Sequence, residues 1–324
     1  MQTTKTLFVT GCFSFIGWEF VKQALKKGYF VYGLDKRLYP SKYTYRNYIE
    51  THDQQYMKNF ILQDETDIVN VKTIPSCDFI VNFAAESHVT NSIMDCSQFI
   101  KTNIDGVRNL LDVVKNRESR PRFIQISTDE VYGDIVSGFY TEGDMLNPSN
   151  PYAASKASAD LLVMSYGRTH NIKYNIFRPT NNFGNFQYHE KLIPLAVQHL
   201  IDDTPIPLHD KGTPIRTWMH VSDTARAILS VIESGVENEI YNCTSYYELQ
   251  NKEVCDKIIK IYNNITNSSY SEFYDYNCFR PGQDVRYAID CDKLTDETGW
   301  LPETKEKFDE FLEEAVKSAY KDLV

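Results

Sequence analysis

Five short runs of strand length, separated by segments of helical periodicity, constrain the first half of this 324-residue chain more than any other feature. They fall at residues 7–10, 29–34, 60–63, 79–82 and 123–127, each apolar or alternating. Between the first two, residues 15–27 repeat Phe20, Val21, Ala24 and Leu25 at helical spacing, and longer helical patterns cover 97–115 and 152–170. Strands alternating with helices close right-handed βαβ units, because a right-twisted strand followed by a helix packs back onto the sheet only that way. The expected fold is therefore α/β, a doubly wound parallel sheet. After residue 180 the prolines at 194, 205, 207 and 214 break the rhythm into shorter segments. One core rarely organises so long a chain. Two lobes are expected, 1–180 and 181–324, with part of about 214–245 returning to the first. Residues 263–271 read as a polar loop and 303–322 as an amphipathic helix.

Composition narrows the function classes. A formal net charge of −10 argues against a nucleic-acid groove, which needs a basic stripe, but a few local cations can still hold a small anion. No apolar run is long enough to span a bilayer, and residues 1–10 enter a strand pattern without an export signal, so no membrane and a cytoplasmic location are expected. The seven cysteines are scattered without a C-x-x-C pair, which suggests reduced thiols, no disulfide framework and no metal site.

Three motifs carry chemistry. Residues 10–17 (TGCFSFIG) join the first strand to the first helix. Gly11 and Gly17 permit a tight turn facing a pyrophosphate, while Ser14 and Cys12 stand where a glycine-rich phosphate loop has glycine. Asp35, ending the second strand, suits a ribose 2′-hydroxyl and repels a 2′-phosphate, favouring NAD; Lys36 beside it reads more simply as a solvated loop charge. Tyr152 and Lys156 lie one helical turn apart on one face. A nearby ammonium lowers a phenol's pKa and prepares it to accept a hydroxyl proton. Finally, Thr128-Asp129-Glu130 follows the fifth strand, where a doubly wound sheet binds ligands. Adjacent carboxylates are common on surfaces, but environments that separate their pKa values make one a proton donor and the other an acceptor.

These segments resemble the extended short-chain dehydrogenases/reductases, and more closely the nucleoside-diphosphate-glucose 4,6-dehydratases. The resemblance extends through AAESHV (84–89), STDEVYG (127–133), NPYAASK (150–156), EKLIP (190–194), Ile215-Arg216 and RPGQDVRYAID (280–290), covering essentially the whole chain. It implies that one bound NAD serves three steps. Tyr152, assisted by Lys156 and Thr128, oxidises the glucose 4-hydroxyl; Glu130 removes the C5 proton; Asp129 protonates the departing C6 hydroxyl. Hydride then returns to C6, giving a 4-keto-6-deoxy sugar of deoxysugar or rhamnose biosynthesis.

For the cofactor, the resemblance implies Phe15, Ile16, Asp64, Glu65, Ala84, Ala85, Glu86, Thr102 and Asn182 beside the residues already named. For the nucleotide sugar it implies Ser87, Thr128, Asn181, Lys191, Leu192, Pro207, Leu208, His209, Arg216, Asn242, Asp284, Arg286 and Tyr287. Lys191, Arg216 and Arg286 would supply local positive charge. His88 reads as a packed, hydrogen-bonded histidine. Gln283 and Val285 depart from the family's usual His and Arg, and residues 162–168 look more like UDP-glucose enzymes, so the base stays open between dTDP and UDP. The family pairs two long helices per subunit, which implies a homodimer through 97–115 and 152–170. A UDP-sugar 4-epimerase or decarboxylase of the same fold is the nearest alternative, lacking the adjacent Asp and Glu. A non-catalytic dinucleotide-binding scaffold is the alternative of another class.

Overall fold

The computed structural model describes residues 4–278, 280–282 and 284–324; Gln283 lies outside them. The first lobe opens with β1 (Thr6–Thr10), α1 (Phe15–Lys26), β2 (Phe30–Leu34), α2 (Lys42–Thr51), β3 (Phe60–Asp64) and β4 (Phe79–Asn82). The short helices α3 (Val89–Met94) and α4 (Ser97–Phe99) lead into a π-helical stretch (Ile100–Gly106) and α5 (Val107–Lys115). Then come β5 (Arg122–Ile126), α6 (Pro151–His170) and β6 (Tyr174–Pro179). The rest comprises β7 (Asn181–Phe183), α7 (Leu192–Ile201), β8 (Ile206–Pro207), β9 (Ile215–His220), α8 (Val221–Ser234), β10 (Glu239–Cys243), β11 (Glu248–Gln250), α9 (Asn251–Thr266), β12 (Tyr274–Asp275), α10 (Asp292–Thr298) and α11 (Thr304–Leu323).

Seven strands form one sheet in the order β10-β6-β5-β4-β1-β2-β3, parallel throughout. Alternation along β1 shows why both faces need cover. Leu7 and Val9 enter the core shared with α1 and α8, while Phe8 enters the one shared with α5 and α6. The strand order reverses between β1 and β4, the position at which a doubly wound sheet opens a crevice beyond its carboxyl ends. A third core gathers α7, α9 and α11 around Ile193, Ile258 and Leu312, beside the small sheets β11-β9-β7 and β12-β8.

Two helix expectations need correction. The pattern over 97–115 is helical throughout, but its middle widens to π geometry at Ile100–Gly106. Gly106 packs so closely that a Cβ there would lie 2.5 Å from Ile68 Cδ1. The widened turn buries Thr102 and Asn103, and Asn103 bonds the Glu86 backbone from both ends of its amide, at 2.9 and 3.0 Å. The expected polar loop at 263–271 begins later, because α9 continues to Thr266 and ends at Asn267 in the left-handed region. Among the described residues, no helix is long and apolar enough to cross a membrane.

Candidate active site

The turn from β1 into α1 forms the floor of the crevice. Gly11 has φ +65°, and a Cβ on it would lie 2.6 Å from the Ala84 amide nitrogen; one on Gly17 would lie 2.3 Å from the Gly11 carbonyl oxygen. Both positions therefore require glycine. Ser14 does not, since its φ of −64° suits any residue. Its hydroxyl caps α1 by accepting from the Gly17 amide at 3.1 Å, which leaves its proton free to donate. Cys12 points the other way, into the core, where burial pushes its thiol well up.

A narrow pocket of about 90 Å³ runs from this turn past Asp35, Lys36, Ala84, Ala85, Glu86 and Thr102. Each Asp35 carboxylate oxygen accepts one backbone amide, from Phe13 at 2.9 Å and Arg37 at 2.7 Å, and keeps lone pairs toward the pocket. Lys36 is no solvated loop charge. It bridges Asp67 at 3.2 Å and Glu86 at 3.1 Å, which raise its pKa against the cost of burial. The Thr102 hydroxyl is buried with no partner among the described residues. A glycine cradle at a helix N-terminus, an acid just past β2 and an unmatched buried hydroxyl fit a dinucleotide.

The pocket opens into a cavity of about 720 Å³ lined by Phe15, Ile16, Ser87, Thr128, Asp129, Glu130, Tyr152, Lys156, Asn181, Asn182, Lys191 and Leu192. Asn150 positions the acid pair. It caps α6 through the Ala153 amide at 2.9 Å and donates its side-chain amide to Glu130 Oε2 at 3.3 Å. Burial, then the neighbouring Glu130 charge, pushes Asp129 up to about 7. Burial also raises Glu130, but Arg216, Asn150, Lys191 and Arg280 oppose it. The neighbours of the two carboxylates thus differ.

Tyr152 and Lys156 line the same cavity, but the expected lowering of the phenol by the ammonium is not what acts on it here. Burial, then the Glu130 charge, pushes the Tyr152 phenol up, and the Thr128 hydroxyl acts to lower it. The Lys156 ammonium instead donates to the Ile126 carbonyl at 2.5 Å.

Other expected residues lie outside both cavities. Asp64 ends β3 and Glu65 pairs with Arg37, while the following Thr66 and Asp67 line the narrow pocket. Pro207 forms β8, Leu208 is buried, and His209 begins the turn after it. Asn242 is fully buried, accepting from the Tyr132 hydroxyl at 2.8 Å. Arg286 does not offer unopposed charge: it binds Glu248 at 2.8 Å. Arg216 stacks 4.4 Å from the Tyr287 ring centre, and the Tyr287 hydroxyl binds Asp284. His88 caps α3, accepting from the Asn91 amide at 3.4 Å, and also lines the large cavity. Sequence reasoning missed Asn150, although an Asn directly before Pro151 is a cap signal. It also missed Tyr188 and Gln187 on the cavity rim, for which no local pattern exists.

Together the crevice and the paired helix face define a class, the dinucleotide-binding enzymes of the extended short-chain dehydrogenase/reductase type. The model of the GDP-mannose 4,6 dehydratase family matches residues 8–315, and the chain belongs to that family. A low-salt glycan biosynthesis protein of Haloferax volcanii is 39% identical, covering 96% of this chain and 97% of its own. A dTDP-glucose 4,6-dehydratase of Haemophilus influenzae is 33% identical, covering 96% of both chains. The crystal structure of a dTDP-glucose 4,6-dehydratase from Streptomyces venezuelae with NAD bound aligns with a TM-score of 0.85, at 34% identity over 98% of this chain and 97% of that one.

Proposed function

We propose that this protein is an NAD-dependent lyase that converts a nucleoside-diphosphate glucose into the 4-keto-6-deoxy sugar and water. The observation that carries this reading is Asp129 beside Glu130, lining one cavity with Tyr152 and Lys156. NAD bound in the crevice supplies the hydride acceptor for C4, the hydride donor for C6 and a positive charge that favours tyrosinate. Tyr152 takes the proton of the 4-hydroxyl while Thr128 holds that oxygen. The resulting ketone acidifies C5, and Glu130 removes its proton. Asp129, whose pKa burial lifts to about 7, gives its proton to the C6 hydroxyl, which leaves as water. Glu130 returns its proton to C5 as C6 is reduced. Residues 1–180, joined by part of about 214–245, form the lobe that chiefly holds the cofactor, and 181–324 otherwise form the lobe that chiefly holds the nucleotide sugar. Exposed Ile100 and Leu161 on neighbouring helices support a homodimer through that face, and a cytoplasmic location agrees with the cofactor chemistry.

Incubation with UDP-glucose and dTDP-glucose, followed by mass spectrometry, tests the activity and identifies the base. Loss of water is the expected result. An epimerase would give product of unchanged mass, and a scaffold would leave the sugar untouched. In heavy water, Glu130→Gln should lose both deuterium uptake at C5 and dehydration, by roughly 10²–10⁴. Asp129→Asn should keep C5 exchange while dehydration fails. Equal loss of exchange in both variants would contradict this division of roles.

A further inference from the structure

One charged pair behind the catalytic face of α6 has no task in the dehydration. Asp160 and Arg178 are almost fully buried, with Arg178 Nε donating to Asp160 Oδ2 at 2.9 Å. Arg178 Nη1 also donates to the Tyr132 hydroxyl at 2.6 Å, and its guanidinium lies 4.8 Å from the centre of that ring. Tyr132 belongs to the same turn as Asp129 and Glu130. Burying two charges costs more than their attraction commonly returns, so an interior ion pair is a poor device for stability alone. Its place in the fold points to another use. Asp160 stands four residues after Lys156, one turn along the same helix face.

We propose that Asp160, clamped by Arg178 one helical turn from Lys156, is the positioning residue that acts through space as counter-ion to Lys156 and sets the alkaline limit of the reaction. Lys156 is buried and donates to the Ile126 carbonyl, the last residue of β5. Burial pushes its ammonium down to about 8, and Asp160 is the charge that pulls it back up. On the elements packed around this turn, Asp160 faces Ser127 beyond β5 and Arg178 on β6, and Arg178 in turn binds Tyr132. Asp129 and Glu130 act on Tyr152. Asp160 is thus the anion that favours the charged form of the lysine, while Arg178 Nε holds the Asp160 carboxylate.

The inference rests on the reading of Lys156 as the partner of Tyr152, and two separate readouts keep the two apart. The first is the pH titration of Lys156 in protein carrying ¹³C-labelled lysine, with its resonance identified by its loss in Lys156→Arg. The second is the pH profile of dehydration. Asp160→Asn should lower the Lys156 midpoint by about one to two pH units, the usual effect of losing an adjacent opposite charge. It should carry the alkaline limb of kcat down with it, leaving KM within about twofold, on the order of 0.4 kcal/mol. Asp160→Glu should restore both. Asp160→Asn with Arg178→Met removes the pair without stranding a buried guanidinium, and keeps the test available if the single variant does not fold; the midpoint should still fall. A purely structural pair would lower the rate at every pH and leave both midpoints in place, which overturns the proposal. A Lys156 midpoint that moves while the pH profile stays fixed overturns the assigned role of Lys156 and, with it, the alkaline limit proposed here.

Discussion

Asp129 and Glu130 are neighbours in sequence, yet their surroundings differ. Asp129 is 3% exposed, with only the Thr128 hydroxyl on one oxygen at 3.2 Å and no partner on the other among the described residues. Glu130 reaches Asn150 and the field of Arg216. The consequence for stability has a definite sign. With its folded pKa raised to about 7, Asp129 keeps a proton that the unfolded chain loses near pH 4. Stability therefore falls as pH rises from about 4 to 7 and is level beyond. Asp129→Asn removes this penalty and should stabilise the fold above pH 7 by on the order of 2–4 kcal/mol, with little effect near pH 4. Urea unfolding at pH 4.5 and pH 8 measures it; an equal effect at both would show that the carboxylate is already ionised when folded. Ser14 illustrates a further point at this scale. Its position seemed to call for glycine, but the backbone there is ordinary and the hydroxyl caps the helix.

Among the elements, those that frame the crevice matter most. The widened turn at Ile100–Gly106 places Thr102 on the narrow pocket, as π-bulges in helices often do at functional sites. Across the mouth, Tyr39 from the turn after β2 meets Tyr188 from the segment before α7, with ring centres 5.2 Å apart. Tyr43 of α2 packs on Tyr188 as well, at 5.8 Å. Elements from the two halves of the chain are thereby joined at the cavity by aromatic contacts, beside the bond that Lys191 donates to the Ser87 carbonyl at 3.2 Å. Such pairs contribute about 0.5–1.5 kcal/mol beyond the area they bury. Tyr188→Ala should accordingly speed NAD release by roughly two- to tenfold, measured by fluorescence after dilution of the loaded protein into competitor. An unchanged release rate would mean that the cofactor leaves by another route.

For the molecule as a whole, the outer face of α6 and the adjoining 97–115 segment leaves Leu161 56% and Ile100 48% exposed. Beside Leu161 runs a groove of about 640 Å³ that reaches Met164, Arg168 and Tyr174. If this face joins two subunits, Leu161→Glu with Ile100→Glu should yield a monomer by light scattering while unfolding stays cooperative. A parent protein that is already monomeric would refute the assignment.

The sequence by itself determined the alternation of strands and helices, and hence the doubly wound sheet, because periods of 2 and 3.6 are local and the crossover hand is fixed. It also placed Gly11, Asp35 and Thr128–Glu130 just past strand ends, where the cavities lie, and put Tyr152 and Lys156 on one helix face. What these groups meet was decided only by the tertiary structure. Lys36 found Asp67 and Glu86, Arg286 found Glu248, and Lys156 turned to a backbone carbonyl rather than to its expected phenol. Asp160 met Arg178 across 18 residues. Such pairings join residues far apart in the chain, and the proton affinities depend on burial, which no local pattern encodes. Residue type and spacing supplied the acids, the base and the cations; packing set which of them face one another, and so which hold a proton near neutrality.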